Sequence, residues 1–160
     1  MDYIRFEHLL DKNLSITKEA IGSDFENTLF SESFYYISDK SIKKDFYGME
    51  YNSLSIETNE KDTVQSISVH FPKVINRQFY DAFIKKYGEP TSIFVIEKRK
   101  VVSETKSNEG HFKKSDIDLR EGTFEENPLF IIWKKENFQI KAFLRHRQNM
   151  SEITFSIPLD

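Results

Sequence analysis

The sequence predicts an α+β two-layer domain, a mainly antiparallel sheet of about six strands with one principal helix packed on one face. Three observations carry that expectation. One segment, Val74 to Tyr87, places apolar residues at helical spacing, and the segments around it alternate apolar and polar residues with the period of two that a half-buried strand requires. The alternating segments also come in pairs joined by short polar turns, which antiparallel neighbours permit.

The helix is the plainest element. Ile75, Phe79, Ala82 and Phe83 fall at i, i+4, i+7 and i+8, and Tyr80, Ile84 and Tyr87 widen the stripe. Asn76, Arg77, Asp81 and Lys85 take the other side. Gly88 and Pro90 supply the stop, because glycine adopts the left-handed C-terminal position and proline cannot continue the hydrogen-bond ladder.

Gly48 to Phe71 reads as two strands around the polar turn Asn59-Glu60-Lys61-Asp62. In the second, Gln65, Ile67, Val69 and Phe71 share one face and Val64, Ser66, Ser68 and His70 the other, while the first offers Leu54 and Ile56 to the same core. Ser92 to Val102 is a further strand that runs into Glu97-Lys98-Arg99-Lys100 and so projects from the core. Leu129 to Lys134, Phe138 to Arg147 and Met150 to Ile157 form the last three, with turns at Lys135-Glu136-Asn137 and Gln148-Asn149. Phe138, Ile140, Ala142, Leu144 and His146 face the core. Gln139, Lys141, Phe143, Arg145 and Arg147 face away.

Residues 1 to 45 give weaker signals: a short helix or strand over Phe6 to Leu10, a helical turn over Thr17 to Ile21 ahead of Gly22, and an aromatic strand over Ser33 to Ile37. Ser103 to Asn127 has few apolar residues among many charges. A structureless insert of that length is uncommon in a compact domain, so a charged, mobile hairpin protruding on either side of Asn108-Glu109-Gly110 is expected.

The 160 residues fit a single domain spanning 1–160. Phe, Ile, Leu and Val make up 47 of them, well above the roughly 20% below which a charged chain stays disordered. Only three alanines occur, beside abundant Ile, Lys, Asn, Phe and Glu, a bias of AT-rich bacterial genomes. There is no apolar run of membrane-spanning length, and the opening Met1-Asp2-Tyr3-Ile4-Arg5-Phe6-Glu7-His8 is charged where a signal peptide is apolar. A soluble, cytoplasmic chain is therefore expected. With no cysteine there is no disulfide framework, thiol nucleophile or thiolate metal site. The net charge of −3 is uneven, with residues 1–62 at −6 and residues 63–160 at +3.

Most catalytic signatures fail. Five scattered glycines make no phosphate-cradling loop, and neither Gly-x-Ser-x-Gly nor His-Glu-x-x-His occurs. The expectation is no catalytic residue, no metal and no cofactor. His70 and His146 both end predicted strands and could meet at the sheet rim beside carboxylates, which is the basis of an alternative reading as a small enzyme. A second alternative is a nucleic-acid or anion binder on Lys141, Phe143, Arg145 and Arg147, a basic stripe with an aromatic inside it. A pI near 5.9 makes nucleic acid the weaker of the two.

The favoured reading is a non-enzymatic protein-binding domain, most concretely an immunity protein or cognate inhibitor that masks a basic toxin or enzyme. The expected contact residues are the acidic cluster Glu57, Glu60 and Asp62, with Tyr35 and Tyr47 as aromatic anchors. Acidic residues would steer a basic partner, and tyrosine offers large contact area with few rotamers to freeze.

Overall fold

The computed structural model of the chain describes residues 3–22, 25–28, 34–38, 44–107 and 110–158, with 25–28, 34–38, 99–107 and 110–116 described by their backbone alone. The architecture is α+β. Nine strands form one sheet: β1 (Phe25–Thr28), β2 (Phe34–Ser38), β5 (Ser53–Thr58), β6 (Val64–Phe71), β7 (Ser92–Ser107), β8 (Gly110–Glu121), β9 (Phe130–Lys134), β10 (Gln139–Arg145) and β11 (Met150–Ser156). Their order across the sheet is β1-β2-β5-β6-β11-β10-β9-β7-β8, and a separate two-stranded ribbon joins β3 (Lys44–Phe46) to β4 (Met49–Tyr51). Every pairing is antiparallel.

The expected six strands are too few because pairing, rather than apolar alternation, makes the others. β1 pairs with β2, and β7 runs past Val102 to pair with β8 until Ser107 meets Gly110. The charged segment is thus strand on both sides of residues 108–109. Its last part turns back. Phe124–Glu126 form a short 3-10 turn closed by a Thr123/Glu126 capping box, and the Phe124 ring stacks on Tyr80 at 4.3 Å.

Helix α2 (Arg77–Tyr87) is shorter than its apolar stripe, because the Asn76 side chain caps it by accepting from the Phe79 N–H at 2.8 Å. Val74 and Ile75 instead donate their N–H groups to Asn149 Oδ1 and Ser151 Oγ, tying the helix entry to the start of β11. At the other end the Trp133 indole donates to the Gly88 carbonyl. α1 (Leu14–Ile21) runs from an Asn13 cap to Gly22 at φ 71°, longer than the expected turn, and Phe6–Leu9 form a 3-10 turn. The Val64 N–H donates to the Lys12 carbonyl and the Leu14 N–H to the Asp62 carbonyl on either side of an antiparallel bridge between Asn13 and Thr63, so this N-terminal unit docks on the β5–β6 turn.

Ile67, Val69, Ile75, Phe79, Phe83, Ile140 and Leu144, which the sequence periodicity places on core faces, are buried in one cluster with Phe155. Two local expectations fail for physical reasons. Val64 is buried and Gln65 is not, because the register between Glu57 and Thr58 shifts, leaving Gln65 as an extra residue in β6 that reverses the face of Val64. Gly48 to Phe71 is not two strands, since Met49–Tyr51 folds back on Lys44–Phe46. That ribbon turns on Tyr47 and Gly48 with φ of 53° and 91°, the positive pair a two-residue hairpin turn needs. It delivers Phe46, with 0% exposure, into the centre of the aromatic core, within 6.5 Å of the rings of Phe6, Phe71, Phe79, Phe83 and Phe155.

Candidate functional site

α2 and the ribbon cover one face of the central strands, and the described residues leave the opposite face open. Residues paired across an antiparallel sheet lie on the same side, so the registers define its rows. One runs Ser53, His70, Glu152, Phe143, Phe130, Phe94, Glu121, and the next Ser55, Ser68, Thr154, Lys141, Ile132, Ser92. The face divides in two. Around β5, β6 and β11 it is polar; from β10 to β8 its centre is aromatic, aliphatic and cationic, with Glu121 and Ser92 at the far ends of the rows.

In the polar part His70 joins two partners that the sequence reading missed. Its Nδ1 lies 3.2 Å from Glu152 Oε2, and its Nε2 shares a 2.8 Å hydrogen bond with Ser55 Oγ. The His70 hydrogen bond, aided by the charges of His70, Arg145 and Lys141, holds the Glu152 carboxyl below its usual range against the opposing effect of burial. The order serine, histidine, carboxylate is that of a nucleophile, its base and an orienting acid. Ser55 is 4% exposed, and β5, β6 and β11 are interior strands of the sheet, whose ladder-paired N–H groups are not available to an oxyanion. His146 is not part of this group, and it does not face the core as expected: β10 ends at Arg145, so His146 is exposed in the β10–β11 turn, with Nε2 hydrogen-bonded to the Pro128 carbonyl at 2.8 Å. The two histidines, whose meeting was the basis of the alternative enzyme reading, have separate partners. Among the described residues no group of three or more potential ligands could hold a metal.

The cationic part contains most of the expected basic stripe. Lys141, Phe143 and Arg145 alternate with the buried Ile140, Ala142 and Leu144, whereas Arg147 falls beyond the end of β10, in the turn. Lys141 Nζ sits 4.1 Å from the centre of the Phe130 ring, Phe130 stacks on Phe143 at 5.1 Å, and the Arg145 guanidinium lies 4.9 Å from Phe143. Each ring thus has a cation and another ring as neighbours, which leaves poor platforms for stacked bases. Beside them an open groove of about 700 Å³ runs between the β7–β8 hairpin and β10. Ile96, Leu129, Phe130 and Phe143 line it together with Ile117 and Leu119, which are 42% and 40% exposed, and Arg145, His146 and Arg147 complete its border.

Four of the five expected contact residues belong by backbone position to the β5–β6 hairpin and the strand beside it, and Tyr47 lies apart in the ribbon. Glu57 is half-buried on the open face opposite Ser66, and Glu60 and Asp62 are exposed on a turn that the Asn59 side chain closes by accepting from the N–H groups of Lys61 and Thr63. Tyr35 pairs with Glu57 through its backbone, and its side chain lies outside the described residues. Tyr47 is corrected outright. It is 8% exposed and packs against Tyr3, Phe46 and Phe83, because the tight ribbon turn folds it inward. Its phenol is pushed up chiefly by burial, as is that of Tyr87, which donates to Glu7 Oε2 at 2.7 Å.

No family model, curated protein or solved structure matches the chain. No helix among the described residues is long and apolar enough to cross a membrane.

Proposed function

We propose that the chain is a non-enzymatic protein-binding domain, with an immunity protein or cognate inhibitor as its most concrete form, and that its partner docks on the open face between β8 and β10. The observation that carries this reading is the groove itself. It concentrates partly exposed apolar side chains, two stacked phenylalanines and two arginines on one side of a sheet whose other side is filled. Apolar patches rimmed by polar groups mark contact surfaces, and aromatic and arginine side chains dominate the energy of such contacts. A cytoplasmic place belongs to the same reading.

The test is retention of a partner from a lysate of the source cell on the immobilised full chain, compared with a Leu119→Asp variant. Loss of a specific partner with the variant supports the surface. Equal retention of that partner by both chains overturns it.

A second reading, an enzyme, is favoured only by the Ser55, His70 and Glu152 alignment. A fluorophosphonate that reacts with activated serines should leave the protein unlabelled, because Ser55 is 4% exposed. Labelling that disappears in Ser55→Ala would replace the binding reading with a hydrolytic one.

A further inference from the structure

We propose that the groove takes an acidic, apolar segment of a partner protein, its carboxylates received by Arg145 and Arg147 and its apolar side chains by Ile117, Leu119 and Phe130. This rests on the protein-binding reading and names the chemistry of the partner. The argument is charge complementarity. Among the described residues the groove is lined by two arginines and a histidine and by no carboxylate, with Glu121 further along the same row, although the chain as a whole is acidic. Arg145 is seated against Phe143, which restricts the guanidinium before any ligand arrives. A guanidinium presents a planar fork that matches a carboxylate, and one already packed on an aromatic ring has less freedom to lose. The acidic group acting on Arg145 from the same face, Glu152, is itself hydrogen-bonded to His70, so His70 shares its charge.

The apolar half has a definite geometry. Ile117 and Leu119 stand two residues apart on β8, the last strand of the sheet, and Leu119 pairs with Ile96, two residues beyond Phe94. They therefore project on the same side as Phe94, Phe130 and Phe143, and an extended segment laid beside β8 would meet aliphatic contacts first and the two arginines across the groove. A purely apolar segment would cover those arginines without bringing a carboxylate to them. A basic one would be repelled.

The experiment is selection of short random peptides displayed on phage against the immobilised full chain, followed by titration of the most enriched synthetic peptide. The variants are Leu119→Asp and the double substitution Arg145→Gln with Arg147→Gln, all at exposed positions, with circular dichroism as the check on folding. Enriched peptides should combine Asp or Glu with aliphatic or aromatic residues. Their affinity should fall about tenfold or more with either variant, and likewise when the peptide's carboxylates are replaced by amides. Neutral or basic peptides that lose binding with Leu119→Asp but ignore the arginine variant would overturn the acidic chemistry and leave the protein-binding surface standing. Absence of enrichment, or peptides indifferent to every variant, would overturn the groove as a receiver of such segments. The partner-retention comparison would then judge the broader reading separately. Tight binding of an oligothymidylate that depends on Arg145 and Arg147, with no acidic peptide enriched, would also overturn the proposal.

Discussion

Strand β10 belongs to two different surfaces at once. Its even-numbered residues, Ile140, Ala142 and Leu144, are buried against the strands and helix that make the core, while Lys141, Phe143 and Arg145 one residue away face the open side. The packed side is an interlocked aromatic cluster with Phe46 at its hub. The open side holds a short stack of two rings and two cations beside a groove. The contrast teaches that the core and the proposed recognition surface are separated by the two-residue period of the strand, so substitutions on the two sides should report different properties.

The largest effect should come from the packed side. Phe46→Ala removes a ring with no exposure that the collapsed ribbon cannot replace, and should cost about 3–5 kcal/mol, much of a total of about 5–15. Phe83→Ala should fall in the same range. Phe143→Ala, half-buried on the open side, should cost only about 1–2 kcal/mol. Urea denaturation of the three variants would break the comparison if Phe143→Ala were as damaging as Phe46→Ala.

A smaller effect should appear in the pH dependence. Because the folded Glu152 carboxyl ionises at lower pH than its ordinary value of 4.5, its contribution is complete above that value and is lost as pH falls through the folded one. Glu152→Gln should therefore lower stability near neutral pH and flatten the acid limb of the stability curve. An unchanged acid limb, measured by thermal midpoint from neutral pH down to acid, would mean that the His70 hydrogen bond contributes nothing to folding.

The smallest expected effect concerns rate. Reversing Glu57, Glu60 and Asp62 to Lys should slow association with a basic partner, and should leave association unchanged or quicken it for the acidic partner that the groove favours. The difference should shrink with salt, because screening acts over about 8 Å at physiological ionic strength. The sign of the change in association rate, read by stopped flow, decides which half of the chain's uneven charge faces the partner.

The helix face, the three C-terminal strands and the sidedness of β10 were legible because periodicity alone determines them. The opposition of Phe130 and Phe143 was within reach too, since both lie symmetrically about the Lys135 to Phe138 turn. Ser55 as a partner of His70 was not, because the register shift beside Glu57 moves the pairing away from what the turn implies. Tyr47 was misplaced for a related reason. A three-residue strand that pairs only with its neighbour carries too few residues to show alternation, and its tight turn directs into the core an aromatic that looks exposed in the sequence. The groove escaped notice because Ile117 and Leu119 stand among charges and gain meaning only when β8 is placed at the sheet edge.

The most direct test is a paired measurement on Leu119→Asp. Its urea midpoint should match that of the unaltered chain within about 0.5 kcal/mol of stability, since the side chain is 40% exposed, while partner association should be lost. A variant that unfolds, or one that stays folded and binds its partner with undiminished affinity, would contradict the assignment of recognition to the open face.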